Sequence, residues 1–233
     1  MFCFRHIVLI LCGQVLLLSG MMMHGQNLVP NGSFEEFEDC PMGLAQIELA
    51  SGWMQARGTC DYIHSCSPTG VGIPFNVVGY QEPFDGNAYA GFIGTDVPDL
   101  EVREHMLIEL LDTLEVGNKY FFSMRVCSAF GPGNNLGANK ASNGQGALLS
   151  TEFYSSIWDS NEFDSPSPVV NNPQILRTEI LNDSLNWIPV AGSFIADSAY
   201  RYLVLGGFLD EFEIEVENVT GIGPLETIGN SYY

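Results

Sequence analysis

Apolar and polar residues alternate most cleanly over 120–127, where Tyr120, Phe122, Met124 and Val126 interleave with Phe121, Ser123, Arg125 and Cys127. A two-residue period sends successive side chains to opposite faces of an extended chain, so this segment is predicted to be a half-buried strand. Similar strand signals cover 88–93, 148–154, 187–196 and 201–208, separated by turn formers such as Glu115-Val116-Gly117-Asn118. Over 104–114 the apolar spacing fits either a helix or a strand. A strand through Met106, Ile108 and Leu110 is expected, because Gly117-Asn118 then turns the chain into its neighbour.

Residues 128–146 and 159–173 are rich in glycine, asparagine or proline and are read as surface loops. Near the end, Glu211, Glu213, Glu215 and Glu217 alternate with Phe212, Ile214 and Val216, the pattern of an edge strand guarded by charge. Long helical periods are missing. Many short strands between turn residues predict an all-β sandwich or barrel.

The first 25 residues change the picture of where the protein works. Arg5 precedes an apolar run from Ile7 to Leu18, and small residues follow to Gly25, the layout of a secretory signal. That run is too short to span a bilayer. Residues 26–233 then form one domain, read as secreted or held at the outer cell surface with no transmembrane segment after signal removal.

The chain carries 28 acidic residues against 8 Lys and Arg, a net charge of −20. Nucleic acid and anionic lipid need clustered cations, so both are excluded as partners. Four cysteines, Cys40, Cys60, Cys66 and Cys127, remain after the signal, and in an exported protein two disulfides are expected from three possible pairings. Their spacing suits no zinc motif. There is no G-x-S-x-G turn and no H-E-x-x-H, and a catalytic cysteine needs a free thiol, so no enzyme is expected.

Asn27-Leu28-Val29-Pro30-Asn31-Gly32-Ser33-Phe34-Glu35 resembles the opening of carbohydrate-binding modules with a galactose-binding-like jelly roll. Further on come Asp39-Cys40-Pro41, Ser51-Gly52-Trp53, Gly58-Thr59-Cys60-Asp61-Tyr62, Gly79-Tyr80-Gln81, Ala88-Tyr89-Ala90-Gly91 and Leu205-Gly206-Gly207-Phe208. In that order they resemble a jelly-roll module of secreted Bacteroidetes proteins, found in gliding-motility, type IX secretion and OmpA-like surface proteins.

The resemblance implies a jelly-roll-type β-sandwich, here expected to lack its last strand and to be truncated at its C-terminus, because the chain stops where relatives begin that strand. It also implies a glycan-binding or surface role, with a structural calcium ion near Glu35 and Asn31. Trp53, Tyr62, Tyr80, Tyr89 and Phe92 are the candidate rings for stacking on sugar. An alternative is a structural or adhesive domain that contacts protein or cell-wall partners with no sugar pocket. Exposure of Trp53 is the discriminating observation. Since relatives lack cysteine at the positions of Cys60 and Cys127, the resemblance pairs these two and leaves Cys40 to Cys66.

Overall fold

The computed structural model describes residues 25–95, 103–129, 140–153, 172–209, 212–218 and 229–232. The expected signal segment, the glycine-rich part of the first loop and most of the second loop lie outside these residues. Among them, no helix is long and apolar enough to cross a membrane.

Two antiparallel five-stranded sheets face each other. The first is built from β1 (Trp53–Arg57), β4 (His105–Glu109), β10 (Tyr202–Gly207), β7 (Gln145–Ser150) and β8 (Ile175–Leu176), in that spatial order. The second runs β2 (Asp61–His64), β3 (Ala88–Thr95), β12 (Gly229–Tyr232), β5 (Lys119–Ser128) and β9 (Ile188–Ile195). β6 (Lys140–Ser142) and β11 (Val216–Asn218) form a separate two-stranded ladder, with Ala141 packed in the cluster behind the second sheet. The fold is an all-β sandwich, with one 3-10 turn at Ile47–Leu49.

Alternation explains which residues meet between the sheets. Met106 and Ile108 of β4, Leu203 and Leu205 of β10, and Ala147 and Leu149 of β7 face Tyr62, Ala90, Phe92 and Val126 of the second sheet in one core cluster. Intervening residues point outward, and Leu107, Leu148, Val204 and Phe208 form a further cluster behind the first sheet. Burial on both faces is why Gln145–Ser150 is solvent-free along its whole length.

The segment 104–114 contains a strand, not a helix: β4 pairs with β1 and with β10. The turn at Gly117, whose φ of 88° favours glycine, then opens β5. Three expectations need correction. The stretch 128–146 holds β6 and the start of β7, because Gln145 and Gly146 pair with Gly207 and Gly206. The strand expected over 148–154 stops at Ser150. The acidic alternation over 211–217 yields only β11, with Phe212 left 88% exposed.

Candidate functional site

Four of the five aromatic rings expected to stack on sugar are core residues. Trp53 is 2% exposed, packs against Phe34 with ring centroids 4.8 Å apart, and donates its indole N–H to the Asn31 carbonyl at 3.0 Å. Tyr62 is buried with its hydroxyl donating to the Phe34 carbonyl, and burial pushes that phenol well above its usual range. Tyr89 donates to the Gln81 carbonyl and accepts from Asn76, and burial raises its phenol too. Phe92 lies between the sheets. Tyr80 alone is partly exposed, edge-on to the exposed ring of Phe75 at 4.7 Å.

Asn31 is a clamp for the turn it begins. Its amide nitrogen donates to the carbonyls of Glu36 and Ser51, and its oxygen accepts the Glu36 N–H. Glu35 points elsewhere, accepting from the backbone and side-chain nitrogens of Asn87 at 2.7 and 3.3 Å. The structure therefore does not bring these two side chains onto a common ligand. Among the described residues no three His, Cys, Asp or Glu side chains converge.

Cys40 and Cys66 are joined, with α-carbons 5.8 Å apart. Cys60 and Cys127 are free and buried, which corrects the expected second bridge. Topology gives the reason. Cys60 precedes β2 and faces the core between the sheets, whereas Cys127 lies on β5 in the cluster behind the second sheet. Three strand spacings, roughly 14 Å, separate β2 from β5. A disulfide needs α-carbons within about 7 Å. Burial, helped by Glu104 and Asp61 for Cys60, pushes both thiols well above their usual range, so neither is an activated nucleophile.

What the structure assembles instead is a groove of about 940 Å³ beside β5. Its apolar floor includes Leu149, Leu203 and Leu205 of the first sheet, and its sides carry Phe84, Arg125, Trp187, Glu35 and Asp85. The outer face of β5 and β9 flanks it. There Phe121 is 71% exposed and Phe84 58% exposed, and the Arg125 guanidinium lies 4.8 Å from the centre of the Phe84 ring. Behind them Trp187 meets Tyr89 edge-on at 5.7 Å and donates to the Glu82 carbonyl at 2.9 Å, holding the loop that carries Phe84.

Phe121 and Arg125 share one face of β5 and are four residues apart, about 13 Å along the strand. Ser123 lies between them, and across the ladder stand Ser193, Ala191 and Pro189. The result is a shallow platform with an aromatic group at each end, the Ser123 hydroxyl near its centre and that of Ser193 beside Phe121. Sequence alternation placed Phe121 on the polar face, and a large ring on that face was the available signal.

No family model matches the chain, and no curated protein matches it. Eight chains of solved structures match. One is the crystal structure of the CBM22-1-GH10 modules of endo-1,4-beta-D-xylanase 10B from Clostridium thermocellum, complexed with xylohexaose. The match has a TM-score of 0.34 and 9% sequence identity, and covers 78% of this chain and 25% of that chain. This chain thus spans about a quarter of the length of that structure.

Proposed function

We propose that this chain is a non-catalytic binding module and that its ligand is a glycan chain lying along the outer face of β5 and β9. The observation that carries the reading is the pair of exposed rings, Phe84 and Phe121, at opposite ends of a platform floored by small residues. Ring faces stack on the apolar faces of sugars, and Ser123, Ser193 and the Arg125 guanidinium offer donors for hydroxyls. The Cys40–Cys66 bridge supports a role in an oxidising compartment, outside the cell or at its surface.

Among the described residues, Asp61 and Glu104 are the carboxyls held above their usual range, and they are tied to Ala45 and to Thr59 and Ile93 away from the platform. Neither borders the groove. A second reading, an adhesive or structural domain contacting protein, is favoured by the burial of Trp53, Tyr62, Tyr89 and Phe92. An array of soluble and cell-wall polysaccharides, probed with the purified chain and with Phe121→Ala and Phe84→Ala, separates the two. Glycan binding weakened at least tenfold by each substitution, with unchanged melting temperatures, is the expected result. Silence across the array, or binding indifferent to both changes, overturns the glycan reading in favour of the adhesive one.

A further inference from the structure

Most cations of this chain are already spent on the fold. Among the described residues, Arg57 and Arg103 are buried and Lys140 is half-buried. Arg177 lies 3.7 Å from Glu179, and Arg201 binds Glu109 at 2.6 Å. Lys119 and Arg125 differ, because both are exposed and neither joins an ion pair. They stand six residues apart on β5, an even separation, so they share its outer face with Phe121 and Ser123. The residues opposite them on β9, from Ile195 to Pro189 on that face, are exposed and uncharged. In a chain with 28 acids against 8 Lys and Arg, a sheet face with two cations and no carboxylate runs against the charge of the whole.

Each of these cations also stands beside one of the two exposed rings. The Arg125 guanidinium lies 4.8 Å from the centre of the Phe84 ring. Stacking on a ring orients the guanidinium plane while its N–H edges stay free, and those edges match a carboxylate in a two-pronged contact. Lys119 is two residues from Phe121 on the same face, about 7 Å along the strand. A ring takes the apolar face of a sugar, and a cation beside it takes an acid group on that sugar or its neighbour. Acids close to the two ends have their own partners. Glu115 accepts from the Asn118 amide at 2.6 Å, and Asp85 accepts the Gly86 N–H at 3.0 Å.

We infer that the glycan held on this platform is a mostly neutral polysaccharide bearing uronic acids at intervals, with one carboxylate on the Arg125 fork and another beside Lys119. This rests on the glycan reading above and names the substrate class of that same site. The spacing of the cations calls for sparse charge. They are about 20 Å apart along the strand, and between them an acid on every sugar meets only Phe121 and Ser123, with no counter-charge. A dense polyanion is also repelled by the net charge of −20. Isolated carboxylates set against Lys119 and Arg125 are shielded from the more distant acids, because the Debye length is about 8 Å at physiological ionic strength.

The test prints the polysaccharide array in duplicate, once native and once with uronic carboxyls reduced to primary alcohols, and measures the affinity of the purified chain for every hit. Uronate-bearing hits that lose at least tenfold in affinity on reduction are the expected result. Lys119→Gln and Arg125→Gln, at parental melting temperatures, are each expected to cut that native-over-reduced preference severalfold. Hits that are neutral glycans, or that bind equally before and after reduction, overturn this inference and leave the glycan reading standing. Binding confined to sulfated glycans overturns it in favour of a different anion. A preference that survives in both variants places the carboxylates elsewhere and overturns it as well. An array silent in both forms removes the glycan reading and this inference together.

Discussion

Among single residues, the carboxyl of Asp61 makes a clear demand on pH. It opens β2 and accepts the Ala45 N–H at 2.7 Å. Surrounding protein pushes its pKa up to about 8, first by desolvation and then by the charge of Glu104, while the Ala45 hydrogen bond opposes the shift. A carboxyl whose folded pKa exceeds its unfolded value, about 3.9, keeps its proton in the folded state. Its contribution to stability is full below about 4 and is lost as pH rises toward about 8. Asp61→Asn keeps the oxygen that accepts from Ala45 and removes the charge. The variant is expected to lose less stability than the parent between pH 5 and pH 8, measured as the shift in urea midpoint. Identical shifts for the two proteins refute this account.

The same scale shows what sequence could and could not tell. The Cys40–Cys66 bridge followed from the family resemblance and is present. The partner bridge was inferred from two unusual positions, yet it fails because a sheet puts their side chains on opposite faces three strands apart. Trp53, Tyr62, Tyr89 and Phe92 looked like candidates for a ligand because large rings suit both stacking and packing. Only burial distinguishes the two, and burial depends on strands remote in sequence.

For whole elements, legibility tracked local periodicity. β3, β5, β9 and β10 were marked by alternation or by compact apolar runs and lie within a residue or two of their expected bounds. β6 and the start of β7 were obscured because Gly144, Gly146 and Asn143 read as loop. Their glycines serve close approach instead. On β10, a Cβ at Gly206 meets the His105 ring at 2.3 Å and the Glu104 carbonyl oxygen at 2.6 Å. Part of that obstruction is backbone, which cannot swing aside, so the pairing of β10 with β4 requires glycine there. Gly206→Ala is accordingly expected to cost about 1–3 kcal/mol by overpacking. Chemical denaturation of the two proteins checks it, and a loss under about 0.5 kcal/mol, the scatter of neutral surface changes, counts against the tight approach.

At the scale of the whole molecule, β5 is laddered to β9 from Lys119 to Val126 but to β12 only at Cys127 and Ser128 among the described residues, and that asymmetry is measurable. In an antiparallel ladder, successive residues direct their N–H and C=O groups to opposite sides. From Lys119 to Val126, alternate residues of β5 therefore spend their backbone groups on β9, while those between them turn toward an edge with no ladder partner among the described residues. Groups paired with β9 open only with the sandwich itself, so their exchange reports stability close to that of the global fold. Groups on the edge without a ladder partner need no global unfolding to exchange. Amide hydrogen exchange followed by NMR is expected to show a two-residue rhythm along β5, with slow and fast amides alternating, whereas its partner β9 shows slow amides opposite the slow ones. The rhythm ends toward Cys127 and Ser128, where β12 supplies the missing neighbour. Uniform protection from Lys119 to Ser128 in a chain of residues 1–233 contradicts a one-sided ladder along β5.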